Sequence, residues 1–550
     1  MNNRHLHLFR RFEPMLLAVI VTLIAIFTYS PQLGADLDIR QDDHRIVFSG
    51  STSSLHAQVL SARLAGGHEV DPSLKWGFES DLRGGRFRPV TQMLEIVLPR
   101  LLGTDALRWH FLLLALVAVT CITLFYAGMG VFTSARVAAL FTLMVMLGPD
   151  PGPARAWYMM STKAEAVGTL LVTCAIFAAS RAAKANDRRL WDSVALVSTL
   201  LAGLAKESFV LVIPAIAALR VWLESRESEA AIRESSQKLW RLMLVYGGIF
   251  LALSSAIVLT LVAATVDSYG GSSLKSASVF TEGFISTFRY FPEQSVWFVP
   301  VALSIWKWRD FSLTSGTLRV VAPVAVIFVM WVVPQVLLYS TRGGMWDHYW
   351  LPCVIGIAGL NAAALVHLER TKRKWLFGAA CAAVILWAGN GFRVNFQSVA
   401  NFAERTHAHQ EALYEIAQRI PDKGRLLLVA DDATQGEYAF SWIFFLGNEG
   451  RPNTQVSLYD TGKNHHGQFS TPLFFPIGGP LSSVPACQFD AIIFLNQPRQ
   501  NDAAWNHWYS KDCFAIRSSS RPQRYFSLRH FAWTTGEFKV TFATKIQPIK

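Results

Sequence analysis

Three segments contain residue types that could act on a substrate at a membrane surface, and the first supplies carboxylates. The stretch DLDIRQDDHRIVF at 36–48 places Asp42 and Asp43 side by side, with His44 next to them. Such a pair can provide a general base for a hydroxyl group, raise one pKa by mutual repulsion, or hold a divalent cation. A solvated acidic loop is the alternative interpretation of the same residues.

The other two segments supply cations that could bind a phosphate group. One is GRFRPV at 85–90, and the other is AKES at 205–208, where a lysine and Glu207 are adjacent. Beyond these three segments, the loop STRGGMWDHYWLP at 340–352 adds one more arginine, together with Asp347 and His348. Contacts with lipid headgroups and a structural Lys–Glu pair are the alternatives. The candidate phosphate ligands are Lys206, Arg88, Arg342 and Arg86.

The elements that must position these residues are apolar helices. Of the 550 residues, 52% are hydrophobic and only 16% are charged. A membrane span needs about 20 mostly apolar residues, because lipid offers the backbone no hydrogen-bond partner. The sequence predicts a polytopic α-helical membrane protein with about eleven spans, at 14–30, 106–126, 136–149, 161–180, 190–205, 208–222, 242–266, 294–308, 318–339, 350–367 and 374–390.

The basic residues predict the orientation of these spans. The net charge is +12, and the basic residues cluster in short linkers between apolar runs, at 181–189, 224–241, 307–316 and 368–374. Basic linkers remain on the cytoplasmic side. This pattern predicts a bacterial inner-membrane protein with its N-terminus in the cytoplasm, and it argues against a nucleic-acid partner. All the candidate reactive groups then fall on the outer face.

The chain divides into two predicted domains. Residues 1–390 form the membrane domain, whose first outer loop at 31–105 includes an amphipathic interfacial helix at 88–103. Residues 391–550 alternate strand-like and helix-like segments, which predicts a soluble periplasmic α/β domain. Cys487 and Cys513 in this tail are either a disulfide or two free thiols.

With these residues identified, the chain resembles the GT-C superfamily of membrane glycosyltransferases. The likeness is greatest to the protein O-mannosyltransferases of the transmembrane-and-TPR type and their bacterial relatives. It rests on five short motifs in family order: DD at 42–43, RFRPVTQ at 87–92 with its preceding arginine, WH at 109–110, EAV at 165–167 and KE at 206–207. The TPR array is missing.

The resemblance implies an inverting transfer from a polyprenyl-phosphate sugar to an acceptor hydroxyl at the outer face. Asp42, with Asp43 as the near alternative, would deprotonate the acceptor, while Lys206, Arg88 and Arg342 would stabilise the leaving phosphate. His44, Glu165, Glu207, His110, Asp347 and His348 would support the site. The resemblance implies no metal or other cofactor. The partners would be the lipid-linked donor, a glycan, lipid or protein acceptor, and membrane lipids.

Two hypotheses from other classes remain open. One is a transporter or flippase of lipid-linked glycans, and the other is a non-catalytic scaffold for envelope assembly. Transporters have paired repeats and ionisable residues near the membrane midplane, whereas here the ionisable residues gather at one face and no repeat is found.

Overall fold

The structure, a computed structural model, consists of two compact units. Unit 1 comprises residues 1–30, 81–91 and 112–398, and unit 2 comprises residues 31–80, 92–111 and 399–550. The described residues are 3–38, 43–44, 46–47, 86–148, 151–184, 187–227, 231–263, 277–289, 298–306, 316–340, 347–370, 374–430, 436–451, 453–460, 475–476, 486–494, 513–527 and 532–545.

Up to Arg419, the regular elements of the described chain are all helical. Short helical turns at Pro151–Ala154, Glu207–Val212 and Asp347–Trp350 join some of them. The helices are α1 (Asn3–Tyr29), α2 (Pro89–Leu102), α3 (Ala106–Phe132), α4 (Ala135–Met146), α5 (Lys163–Ala182), α6 (Arg188–Ala205), α7 (Ile213–Glu227), α8 (Ala231–Ala263), α9 (Ala277–Arg289), α10 (Val299–Trp306), α11 (Gly316–Ser340), α12 (Leu351–Arg370) and α13 (Lys374–Arg419).

The prediction of a polytopic helical membrane protein is confirmed. Each of the eleven predicted apolar runs overlaps one of these helices. Within the described residues, eight segments are long and apolar enough to cross a membrane, so eleven crossings stay a prediction. The eight segments are Phe12–Gly34, Ala106–Phe132, Lys163–Ala182, Glu207–Arg226, Leu239–Val262, Val321–Ser340, Leu351–Arg370 and Lys374–Arg419.

The surface of α8 shows why this unit needs lipid around it. Leu251, Leu259 and Val262 are 65%, 68% and 80% exposed. A large apolar face turned outward is costly in water, whereas hydrocarbon covers it without cost.

The short helix α4 is held at both ends by other parts of unit 1. At its start, the Ser134 side chain accepts a hydrogen bond from the Val137 amide, which is a standard N-cap. At its end, Tyr29 donates to the Met146 carbonyl (2.7 Å) and Asn395 donates to the Gly148 carbonyl (3.0 Å). These side chains satisfy carbonyls that the helix itself leaves without a partner.

Unit 2 contains the strands, which form one sheet across the part of the chain that the structure describes. They are β1 (Arg425–Ala430), β2 (Gln455–Asp460), β3 (Phe475–Pro476), β4 (Ala491–Phe494), β5 (Phe514–Ser527) and β6 (Ala532–Lys545), with α14 (Gly436–Asn448) between β1 and β2. Their order is β3-β2-β1-β4-β6-β5, with the first four parallel and β6 antiparallel to both neighbours.

The sheet confirms the predicted α/β character of the tail. Leu427, Ile492 and Phe514 belong to its buried core, and Cys513 packs against that core. Cys513 forms a disulfide with Cys487, which decides between the two alternatives left open by the sequence. The domain boundary at 390/391 stays a prediction, but α13 continues as a helix to Arg419.

Candidate active site

A break between two helices brings the KE motif to the centre of a group of buried charges in unit 1. Helix α6 ends at Ala205, and Lys206 then adopts an extended backbone before the helical turn that begins at Glu207. Because the backbone is extended here, the adjacent Lys206 and Glu207 make separate ion pairs with different parts of the chain.

Lys206 pairs with Glu165, the glutamate of the EAV motif, near the start of α5. Both side chains are only 3% exposed. The Lys206 ammonium also lies 4.0 Å from the centre of the Tyr349 ring, a cation–π contact that gains strength away from water. A charge buried this deeply needs such partners.

Glu207 holds the arginine motif that precedes α2. The Nε of Arg88 donates to both Glu207 carboxylate oxygens, at 3.0 and 2.9 Å. The Phe87 amide donates to the same carboxylate (3.1 Å), and the Thr91 hydroxyl donates to the Ala205 carbonyl (2.7 Å). Three motifs that are far apart in sequence thus meet in what we call the lysine cluster: Arg88, Glu165, Lys206, Glu207 and Tyr349.

A second polar group, within unit 2, surrounds the start of the first loop. Asp43 accepts a hydrogen bond from the Asp38 amide (3.0 Å), and Asp38 pairs with Arg405 of α13 (3.1 Å). Asp43 and Asp38 are fully buried. The Asp43 carboxylate therefore has a structural role, because it binds the backbone amide of Asp38 at the start of the loop.

Histidines complete this second group. The Asp36 carboxylate lies 2.5 Å from Nδ1 of His407, and the Asp36 carbonyl lies 3.5 Å from Nε2 of His110. We call this set the aspartate cluster: Asp36, Asp38, Asp43, His44, His110, Arg405 and His407.

Burial sets the protonation of His44. Loss of solvent lowers the pKa of His44 to about 4, although the side chain of Gln410 and the charge of Asp38 act in the opposite direction. His44 is therefore neutral near pH 7, and its uncharged ring packs edge-on against Phe445.

Several candidates lie outside the described residues, namely Asp42, Arg342 and the side chains of Asp347 and His348. Arg86 is described and lies two residues before Arg88, half-buried. Within the described residues, no group of three or more His, Cys, Asp and Glu side chains forms a metal site.

Sequence reasoning missed four residues of the aspartate cluster and one of the lysine cluster: Asp36, Asp38, Arg405, His407 and Tyr349. The signal for Arg405 and His407 was a run of charged residues after the last apolar run. Tyr349 carried no signal, because aromatic residues are common at membrane interfaces.

No protein-family model and no curated protein sequence matches the chain. Solved structures similar to it include ArnT from Cupriavidus metallidurans bound to undecaprenyl phosphate, at 13% identity, a TM-score of 0.44 and coverage of 84% of this chain and 86% of that one. The apo state of the same ArnT is 13% identical, with a TM-score of 0.46 and coverage of 96% of this chain and 97% of that one. A third similar structure is the archaeal oligosaccharyltransferase AglB from Archaeoglobus fulgidus, in complex with an inhibitory peptide and a dolichol-phosphate. It is 10% identical, with a TM-score of 0.45 and coverage of 88% of this chain and 70% of that one.

Proposed function

We propose that this protein is an inverting glycosyltransferase that moves a sugar from a polyprenyl-phosphate donor to an acceptor hydroxyl at the outer membrane surface. The observation that carries the proposal is the lysine cluster. The RFRPVTQ, EAV and KE motifs are three of those that carry the resemblance to GT-C glycosyltransferases. They are separated by dozens of residues in sequence, yet direct ion pairs join them in the structure.

The lysine cluster suits a donor that carries a phosphate. As the bond from the anomeric carbon to the phosphate oxygen breaks, negative charge grows on the leaving polyprenyl phosphate. Cations that are already fixed in direction stabilise this charge without reorganising during the reaction. Glu165 and Glu207 fix Lys206 and Arg88 in this way, and Arg342 is proposed as a third cation, with Arg86 beside them.

The first loop supplies the proposed base. Asp42, or Asp43 as the alternative, takes the proton from the acceptor hydroxyl, and the oxygen attacks the anomeric carbon from the side opposite the phosphate. The configuration at that carbon is inverted. Because the Asp43 carboxylate already binds the Asp38 amide, Asp42 is the preferred candidate for the general base.

The disulfide supports the proposed location of unit 2. Disulfides persist in oxidising compartments such as the periplasm, and Cys487 and Cys513 are bonded. We therefore propose that the C-terminal domain lies outside the cytoplasm, in agreement with the positive-inside pattern.

The test is transfer of a radiolabelled sugar from polyprenyl phosphate by the full-length protein in liposomes. Asp42→Asn should lower the rate by about 100- to 10,000-fold, as expected for loss of a general base. Asp105→Asn is a matched control, because Asp105 is half exposed at the start of α3, where its carboxylate pairs with Arg108 and accepts a hydrogen bond from the Leu107 amide. The product's anomeric configuration, measured by NMR, should be inverted.

Normal transfer by both Asp42→Asn and Asp43→Asn would exclude the proposed base. Movement of an intact lipid-linked glycan across the liposome membrane, without any sugar transfer, would instead establish the transporter hypothesis.

A further inference from the structure

One face of α11 contacts the two chain segments that carry the Lys206–Tyr349 contact. Its residues are Trp331, Gln335 and Tyr339, which occur at every fourth position and therefore lie on the same side of the helix. Their side chains are buried, whereas apolar residues on the other side of α11 are exposed. We call these three residues the α11 face.

Gln335 binds the backbone next to Lys206. Its side-chain Nε2 donates to the Ser208 carbonyl at 2.6 Å, and Ser208 belongs to the helical turn that begins directly after Lys206. Gln335 is fully buried in a segment apolar enough to span a membrane, where an amide is costly unless it is hydrogen-bonded. The bond therefore ties α11 to the turn that follows the helix break.

The other two residues of the α11 face hold the segment that carries Tyr349. The Tyr339 ring stacks on the Tyr349 ring, with 5.3 Å between the ring centres. The indole nitrogen of Trp331 donates to the carbonyl of Pro352 at 2.9 Å, three residues after Tyr349. One helix face thus contacts the backbone beside Lys206 and also the ring that lies 4.0 Å from the Lys206 ammonium.

We propose that Gln335 is a positioning residue for phosphate binding, which it supports by holding the turn after Lys206 against the α11 face. The inference rests on the proposed function, in which Lys206 binds the leaving phosphate. A cation binds best when hydrogen bonds and packing have already fixed its position. Gln335 acts through the backbone of the turn, and Tyr339 acts through the Tyr349 ring.

The experiment measures the binding of undecaprenyl phosphate to the detergent-solubilised full-length protein. Undecaprenol, the same lipid without its phosphate, is the reference ligand. Gln335→Met keeps the length of the side chain but removes the donor. Its Kd for undecaprenyl phosphate should rise about three- to tenfold, as for other coupled neighbours, and its Kd for undecaprenol should stay unchanged. Tyr339→Phe keeps the stacked ring and should bind undecaprenyl phosphate more tightly than Tyr339→Leu.

Asn361→Leu is the matched control. Asn361 is also a fully buried amide in a membrane helix, α12, but it donates to the Ile357 carbonyl of its own helix at 3.0 Å. Both variants lose a buried hydrogen bond, and only Gln335→Met alters the turn after Lys206. Asn361→Leu should therefore bind both lipids as the wild type does. Unchanged phosphate binding in Gln335→Met, or an equal loss in Asn361→Leu, would overturn the proposal.

The double variant Lys206→Met with Glu165→Leu separates this inference from the proposed function. It removes both charges of the buried pair and should weaken the binding of undecaprenyl phosphate by about tenfold or more. Adding Gln335→Met to it should cause no further loss, and a further loss of the same size would overturn the positioning role. Wild-type binding by the double variant would instead exclude the lysine cluster as the phosphate site, and the proposed function would fail together with the inference.

Discussion

The lysine cluster of unit 1 and the aspartate cluster of unit 2 both contain buried charges, but they balance charge in different ways. In the first, each of the two cations has its own carboxylate, and the two pairs are built from three motifs. In the second, Asp38 pairs with Arg405, Asp36 contacts His407 and Asp43 accepts a hydrogen bond from a backbone amide. His44 is neutral near pH 7. Fixed cations suit an anionic ligand, whereas carboxylates and histidines suit proton transfer.

The largest effect is expected when the lysine of the first cluster is removed. Lys206→Met leaves Glu165 buried without its cation, which should lower the free energy of unfolding by about 3–5 kcal/mol. The measurement is thermal unfolding in detergent. The double variant Lys206→Met with Glu165→Leu should recover much of the loss, because no uncompensated charge remains. A double variant as unstable as the single one would show that the pair itself is not the cause.

The second change acts on unit 2 through its disulfide. The two cysteines are 26 residues apart, so replacing both with serine should cost about 3–4 kcal/mol from loop entropy. Hydrogen exchange of the β4 and β5 amides should speed up. Exchange in α5 and α6 of unit 1 should stay unchanged, and a uniform increase in both units would contradict the division into two units.

The third test uses pH. The unfolded chain binds a proton at His44 near pH 6.5, whereas the folded protein resists it until about pH 4. Stability from this residue is therefore complete above pH 6.5 and is lost between pH 6.5 and 4, by about 3 kcal/mol in all. His44→Gln should flatten this part of the Tm–pH profile relative to the wild type. An unchanged slope in His44→Gln would assign the effect to another group.

The smallest effect is expected from Arg88→Lys. Lysine keeps the charge but loses the Nε–H that contacts both oxygens of Glu207, so stability should fall by about 1 kcal/mol. If the cluster binds the donor phosphate, the KM for the donor should rise several-fold, whereas Arg108→Lys, at an exposed arginine outside the cluster, should leave the KM unchanged. An unchanged KM in Arg88→Lys would limit Arg88 to a structural role.

The sequence predicted the helices well because the membrane imposes a simple rule on them. A run such as 111–132 has no charge and must satisfy its backbone internally. The same rule does not extend to α13, where the change to polar residues after 390 suggested a boundary although the helix continues to Arg419. A polar helix face and a linker have similar composition.

The candidate site was predicted in part. The motifs identified Lys206, Glu207, Glu165 and Arg88 as site residues. They did not predict the pairing, in which Lys206 binds Glu165 and Glu207 binds Arg88. That choice follows from the extended backbone at Lys206, which is set by tertiary packing. Asp38 and Arg405 are 367 residues apart in sequence, and nothing local in either segment indicates the other.

The helix α4 has a consequence for how the chain enters the membrane. Its 12 residues measure about 18 Å, well short of the hydrocarbon core. A Cβ at Gly391 would overlap the Leu147 carbonyl oxygen, so α13 and the end of α4 meet backbone to backbone. Because Asn395 and Gly391 are synthesised some 240 residues after α4, the end of α4 cannot make these contacts until α13 exists. This part of the assembly of unit 1 therefore comes late in biogenesis.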